Sequence, residues 1–247
     1  MSQPPGFTRG PCVGGLSGRT LVFAGLDQDG RPVAMKTLDP RSLDQPIVQA
    51  RFLCEQRLHA RADGASHVVR LHQRQPDGWL ITQWAHGGTL DEWMVSSARL
   101  RTPISPARVK GIVTALLRAC QAIGARAVVH RDIKPSNVLL DGADIWLTDF
   151  GLAAAQDGDG TWRSLPVPWT ECEIGTPGWV APELEADPLL TLSANDVFSV
   201  GRVWHALAAA CSTEPSSWIP LRQAMVQPNP HTRPSADAIL FELANSP

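Results

Sequence analysis

The sequence predicts an α+β fold in two lobes, a β-rich N-terminal lobe with one helix followed by a mainly helical C-terminal lobe. Three observations carry this. Up to about residue 84, short apolar runs alternate with Gly, Asp and Pro turn signals, which is strand-and-hairpin spacing. One amphipathic helical pattern interrupts them at 43–61. After Gly87-Gly88, apolar residues recur at helical intervals, so strands and helices are segregated along the chain.

Taken in order, residues 1–12 hold three prolines and two glycines and read as a flexible lead-in. Runs 20–24 and 32–37 read as antiparallel strands with an Asp29-Gly30 turn. In 43–61, Ile47, Ala50, Leu53 and Leu58 lie at helical spacing with charges between them. Runs 68–71 and 79–84 read as two further strands around a Pro76-Asp77-Gly78 turn. Helical spacing then occupies 90–95, 106–123, 195–210, 217–227 and 235–244, the last opened by Pro234-Ser235 with Asp237 in its first turn. The stretch 151–174 has no period and is long enough to be functional or disordered.

Composition narrows the function classes. The chain has 247 residues, 43% hydrophobic and 19% charged, an ordinary globular balance. A net charge of −2 gives no basic field for nucleic acid or an anionic membrane. The longest apolar stretch, 197–211, is broken by Arg202 and His205 and is too short to insert in a bilayer. Cys12, Cys54, Cys120, Cys172 and Cys211 show no CxxC spacing, which suits reduced thiols in the cytoplasm. The start lacks the charged and apolar regions of a secretory leader. Tyrosine is absent, and 19 arginines against 3 lysines point to a GC-rich, bacterial source.

The chemistry concentrates in His130-Arg131-Asp132-Ile133-Lys134-Pro135-Ser136-Asn137 and Asp149-Phe150-Gly151. Within twenty residues these bring a carboxylate able to take a hydroxyl proton, an ammonium able to neutralise a phosphoryl group, and hard oxygen donors suited to magnesium. A polar loop beside a chance turn would need several coincidences in the right order. Upstream stand Val13-Gly14-Gly15-Leu16-Ser17-Gly18-Arg19-Thr20, Val33-Ala34-Met35-Lys36 with Glu55 on the following helix, and Ile81-Thr82-Gln83-Trp84-Ala85-His86-Gly87-Gly88. Downstream stands Gly175-Thr176-Pro177-Gly178-Trp179-Val180-Ala181-Pro182-Glu183.

From about residue 13 to 244 the chain resembles the eukaryotic-type serine/threonine protein kinases, as a compact, stand-alone kinase domain. The resemblance implies a bilobal kinase-like fold: N-lobe 13–84, C-lobe 85–247, activation segment 149–183. It implies Asp132 as catalytic base and Lys134 on the γ-phosphate, with Lys36 on the α- and β-phosphates held by Glu55. Asn137 and Asp149 would bind Mg2+, with Mn2+ an alternative. ATP would lie under Val13, Gly15 and Gly18, between Ala34 and Leu139, with its adenine on the backbone of Gln83 and Ala85 behind the small residue Thr82. Thr176 would contact Asp132 and Lys134, Glu183 would pair with Arg233, and Asp196 would anchor the catalytic loop. Arg131 implies an activation segment ordered by a phosphate; of Thr161, Ser164 and Thr170, the favoured site is Thr170.

The match has departures. Val13 replaces the usual first glycine, Thr20 the valine that packs on adenine, and His59 an apolar residue stacked on Phe150 and His130. The short interval from Asp196 to Arg233 leaves little room for the usual substrate-docking helix, while the segment from Asp149 to Glu183 is long, so substrate recognition is expected to shift towards that loop. The expected activity is transfer of the ATP γ-phosphate to a protein Ser or Thr hydroxyl, with autophosphorylation. A small-molecule kinase of related fold has no use for the 175–183 platform, and a pseudokinase scaffold has none for the full catalytic set. Two of the three lysines, Lys36 and Lys134, stand where phosphate needs a compact cation.

Overall fold

The computed structural model describes residues 3–15, 19–163 and 175–245. Four antiparallel strands form the N-terminal sheet in the order β1 (Thr8–Gly14), β2 (Thr20–Leu26), β3 (Pro32–Leu38), β4 (Trp79–Gln83). Between β3 and β4 in sequence runs α1 (Pro46–Ala62), opened by a proline that its first turn tolerates. The period of two in β3 sorts its side chains: Val33, Met35 and Thr37 are buried on one face, while Ala34 and Lys36 turn to the other. The first face makes a small core with Trp79 and Ile81.

Two expectations need correction here. Within the expected lead-in 1–12, the described part is not loose: from Thr8 onward it is β1, paired with β2, and Phe7 fills the small core at 3% exposure. Burying that ring contributes about 2 kcal/mol. The sheet accepts Pro11 because β1 is an edge strand whose register breaks between Arg9 and Cys12 and again between Cys12 and Gly14. Residues 68–71 form no strand. They split their bonds between two partners: the Val69 N–H donates to Leu147 O, and Arg70 O accepts from the Gln83 N–H. Only single bridges result, Val68 with Leu147 and Leu71 with Thr82.

The C-terminal part is mainly helical: α2 (Leu90–Arg99), α3 (Pro106–Gly124), α4 (Pro182–Ala186), α5 (Ser193–Ala209), α6 (Trp218–Met225) and α7 (Ala236–Asn245). A reciprocal capping box starts α2: Glu92 N–H donates to Thr89 Oγ1 and Thr89 N–H to Glu92 Oε2. Ser105 caps α3, and Ser235 accepts from Ala238 N–H at the start of α7, where Pro234-Ser235 predicts it. The core lies between α3 and α5, where Ile112, Leu116 and Leu117 are buried with Val200, Val203, Trp204 and Leu207. Short strands carry the chemistry across this platform: β5 (Val128–Val129), the hairpin β6 (Val138–Asp141) and β7 (Asp144–Leu147), then β8 (Ala154–Gln156) and β9 (Trp162–Arg163). The pair β8–β9 falls inside the aperiodic stretch. Strands of three and two residues are too short to show a period, and β8 is held by pairing with β5. No described helix is long and apolar enough to cross a membrane.

Candidate active site

The cleft lies between the N-terminal sheet and the β6–β7 hairpin, with a volume of about 520 Å3. Val13, Gly15, Ala34, Lys36, Gln83, Ala85, Asn137, Leu139 and Asp149 all line it, so the sequence-based set converges on one place. Gly18 lies outside the described residues. Ala34 comes from β3 and Leu139 from β6, on opposite walls. In the connecting segment, the Gln83 N–H is taken by Arg70 O, which leaves Gln83 only its carbonyl for a ligand. Ala85 is buried, and its N–H has no partner among the described residues. A buried backbone donor without a protein acceptor is suited to a ligand acceptor.

Strand β3 carries Lys36 into the cleft, where its Nζ donates to Glu55 Oε1 at 2.7 Å and stands 3.5 Å from Asp149 Oδ1. Burial pulls the Lys36 pKa down, but the Asp149 and Glu55 carboxylates outweigh it and hold the ammonium above the ordinary lysine range. Burial pushes Glu55 up to about 7, against the pull of Lys36. Asp149 also meets burial, yet Lys36 first and then His130 keep its carboxyl below the usual range. Its backbone is left-handed (φ 66°), a conformation uncommon for a side-chain-bearing residue and frequent at functional sites.

The catalytic loop is fixed from below. Buried Asp196 on α5 accepts from the His130 and Arg131 N–H groups, both at 2.8 Å. His130 donates through Nε2 to Thr148 O at 3.0 Å and accepts the Asp132 N–H at Nδ1, so one imidazole sets both the loop and the residue before Asp149. Above this base, Lys134 Nζ donates to Asp132 Oδ2 at 2.8 Å and to Thr176 Oγ1 at 2.6 Å. Thr176 Oγ1 donates to Asp132 Oδ1 at 2.9 Å, which closes a triangle. Asn137 Nδ2 donates to Asp132 O at 2.8 Å, leaving its carbonyl oxygen unused. That oxygen and the Asp149 carboxylate are hard donors lining one cleft, a set that fits Mg2+, which takes one or two protein oxygens and completes its shell with phosphate and water.

Glu183 meets Arg233 at 2.6 and 2.7 Å, and that guanidinium spends its other donors on Gln227 O, Ala194 O and Pro228 O. All five N–H bonds are thus used, which is how a fully buried cation is tolerated.

Arg131 holds the loop that follows α4. Its side chain is buried and donates to Pro188 O at 2.9 Å and Thr191 Oγ1 at 3.4 Å, and burial lowers its pKa to about 10. The backbone at Arg131 is left-handed (φ 68°), and its N–H is held by Asp196. Its expected phosphate partner, Thr170, lies outside the described residues, as does Ser164. His59 does complete a ring stack, 5.1 Å from Phe150, which stands 4.9 Å from His130. Three contributors have no motif in the sequence. Ser199 and Arg202 of α5 hold the Trp179 and Gly178 carbonyls, and Arg61 of α1 holds Arg126 O and Gln156 O.

Residues 15–217 match the protein kinase domain. The chain belongs to this family. It is 32% identical over 193 residues to the serine/threonine-protein kinase PknL of Mycobacterium tuberculosis, covering 74% of this chain and 44% of PknL. To the probable serine/threonine-protein kinase PkwA of Thermomonospora curvata it is 30% identical over 192 residues, 76% of this chain and 24% of that one. To the CBL-interacting protein kinase 4 of rice it is 33% identical over 184 residues, 73% and 39%. The chain therefore spans less than half the length of these relatives. The fold is the bilobal kinase fold that the motifs imply, with its four-stranded antiparallel sheet and helical C-terminal part.

Proposed function

We propose that the chain is an ATP-dependent serine/threonine protein kinase, N-lobe up to residue 84 and C-lobe from residue 85, with an activation segment from Asp149 to Glu183. The observation that carries this reading is the Asp132–Lys134–Thr176 triangle. A threonine hydroxyl of the chain itself donates to Asp132 Oδ1 at 2.9 Å, the relationship an acceptor hydroxyl must adopt.

In that role Asp132 orients the acceptor hydroxyl and takes its proton as the new O–P bond forms and the bond from the γ-phosphorus to the β–γ bridging oxygen breaks. Lys134 stands 2.8 Å from the same carboxylate and neutralises the transferring phosphoryl group. Lys36, oriented by Glu55, holds the α- and β-phosphates. Ala34 and Leu139 sandwich the base, the Ala85 N–H and Gln83 carbonyl bind its edge, and Val13, Gly15 and Gly18 cover the phosphates. Mg2+ or Mn2+ on Asn137 and Asp149 would supply charge neutralisation of the phosphates when bound. The relatives named as serine/threonine kinases support the acceptor type. Among the described residues Cys12, Cys54, Cys120 and Cys211 form no disulfide, which agrees with a cytoplasmic setting.

The test is incubation with Mg2+ and γ-labelled ATP, with and without a generic acceptor protein, beside Asp132→Asn and Asp149→Asn. Label on phosphoserine or phosphothreonine that both variants abolish is the expected result. Label on neither the chain nor the acceptor overturns the reading in favour of a scaffold. Phosphate mapped to Thr170 in the parent but not in Asp132→Asn would establish autophosphorylation there.

A further inference from the structure

Helix α5 presents Ser199 and Arg202 one turn apart, hence on one face. Ser199 Oγ donates to Trp179 O at 2.9 Å and Arg202 Nε to Gly178 O at 2.8 Å, so two successive carbonyls of the loop beside Asp132 are held by this helix. Gly178 is two residues from Thr176, whose hydroxyl bonds Asp132, which puts their Cα atoms at most about 8 Å apart. The Arg202 guanidinium is thus anchored to the same short loop as Thr176, two residues along from the hydroxyl that meets Asp132.

That anchoring uses one of five N–H donors. The four on the terminal nitrogens have no protein acceptor, and no carboxylate pairs with Arg202 among the described residues. Among the described residues the surface beside it is open: Gly178 has φ +85°, and a Cβ built there would meet nothing within 4 Å. Among the described residues, neighbouring charges do not cancel it. Arg222 is neutralised by Glu214 through bonds of 2.8 and 2.9 Å. His205 is bonded back to Gly201 O, and burial first, then Arg222 and Arg202, hold its pKa below the usual range, so it is neutral near pH 7. A second cavity of about 390 Å3, lined also by Thr176, has Glu55, Asp132 and Asp149 as its carboxylates, each within the catalytic set. Its remaining ionisable residues outside that set are Arg19 and Arg51.

We propose that the acceptor is an acidic peptide, with an Asp or Glu side chain within about three residues of the reacting hydroxyl, and that Arg202 is the residue that selects it. The inference rests on the protein-kinase reading and deepens it. A carboxylate fits the planar fork of terminal N–H donors left free on Arg202. A lysine or arginine at the same position meets a like charge with no compensating carboxylate among the described residues.

The test measures kcat/KM on serine peptides in an alanine background, with Asp, Ala or Arg placed at each of three positions on either side of the serine. At one position or more, Asp exceeds Arg by roughly tenfold at low salt, and the ratio shrinks in high salt. Arg202→Glu reverses the ratio at that position, and Arg202→Gln brings it towards one. The wild-type ratio needs no variant, so a variant that fails to fold leaves the proposal open to refutation. Peptides phosphorylated with no charge preference, a preference for Arg, or a preference unchanged in Arg202→Glu each overturn the selection while leaving the kinase reading intact. Absence of label on every peptide and on the chain itself overturns both.

Discussion

The Arg61 guanidinium of α1 donates to the Gln156 carbonyl at the end of β8, at 2.8 Å, and to the Arg126 carbonyl, also at 2.8 Å. Glu55 lies six residues earlier on the same helix, about 9 Å along its axis. One side chain therefore ties the helix that positions Lys36 to the first hairpin of the segment after Asp149-Phe150-Gly151. Arg61→Ala should speed amide exchange in 154–156 and in the last turn of α1, and lower kcat/KM several-fold. Exchange rates equal to those of the parent would remove the link.

The Lys36–Glu55 pair has a pH signature. Glu55 is buried and its pKa is pushed up to about 7, so the proton is bound more tightly in the folded than in the unfolded chain. Its contribution to stability is fully present below the ordinary glutamate value and is lost as pH rises through about 7. Lys36→Met leaves that carboxylate without its cation, a loss of about 3–5 kcal/mol for a broken buried pair. Urea unfolding should show a larger deficit at pH 8, where the orphaned Glu55 is driven to ionise, than at pH 6. Deficits equal at the two pH values would mean that Glu55 does not titrate.

What was legible in the sequence is what repeats or what chemistry demands in order. Strand β3 declared itself by alternation, α3 and α5 by helical spacing, and the catalytic loop by residue types no structural role requires together. Phe7, Arg61, Ser199 and Arg202 were not legible. Phe7 is one apolar residue among prolines and glycines, and nothing local says that it fills a core made by β3 and β4. The other three each act on a carbonyl distant in the chain, and every residue has a carbonyl. Pairing between β8 and β5 was hidden for the same reason, since its strands are shorter than any period.

The Glu183–Arg233 pair should govern acid stability. Burial pushes the Glu183 pKa up, but Arg233 and the Asn195 amide hold it below the usual range. A carboxyl depressed in the folded state stabilises above its unfolded value, and that stability is lost as pH falls through the folded value. Arg233→Ala strands a largely buried carboxylate and should cost about 3–5 kcal/mol at pH 7. The double variant Glu183→Gln with Arg233→Met should recover part of this. Thermal unfolding of the two proteins decides it: a double variant no more stable than Arg233→Ala would show that packing around Arg233, and not the stranded charge, dominates.

His59 makes a prediction of the opposite sign to Glu55. Its Nε2 donates to Val69 O at 2.8 Å, while its buried Nδ1 has no hydrogen-bond partner among the described residues. Burial pulls its pKa from 6.5 to about 4, and the Lys36 charge acts in the same direction, against Asp63 and the Val69 carbonyl. Between those values the unfolded chain binds a proton that the folded chain refuses, so stability falls as pH drops from 6.5 towards 4, by up to about 3 kcal/mol. His59→Leu keeps the packing on Phe150 and abolishes this slope, but it leaves Val69 O without its donor, at about 1 kcal/mol. The variant should therefore be less stable than the parent at pH 7.5 and should match or exceed it at pH 5. The Glu55 slope is common to both proteins and cancels in the difference. Urea titrations at the two pH values measure it, and parallel slopes in parent and variant would show that His59 is protonated in the folded chain.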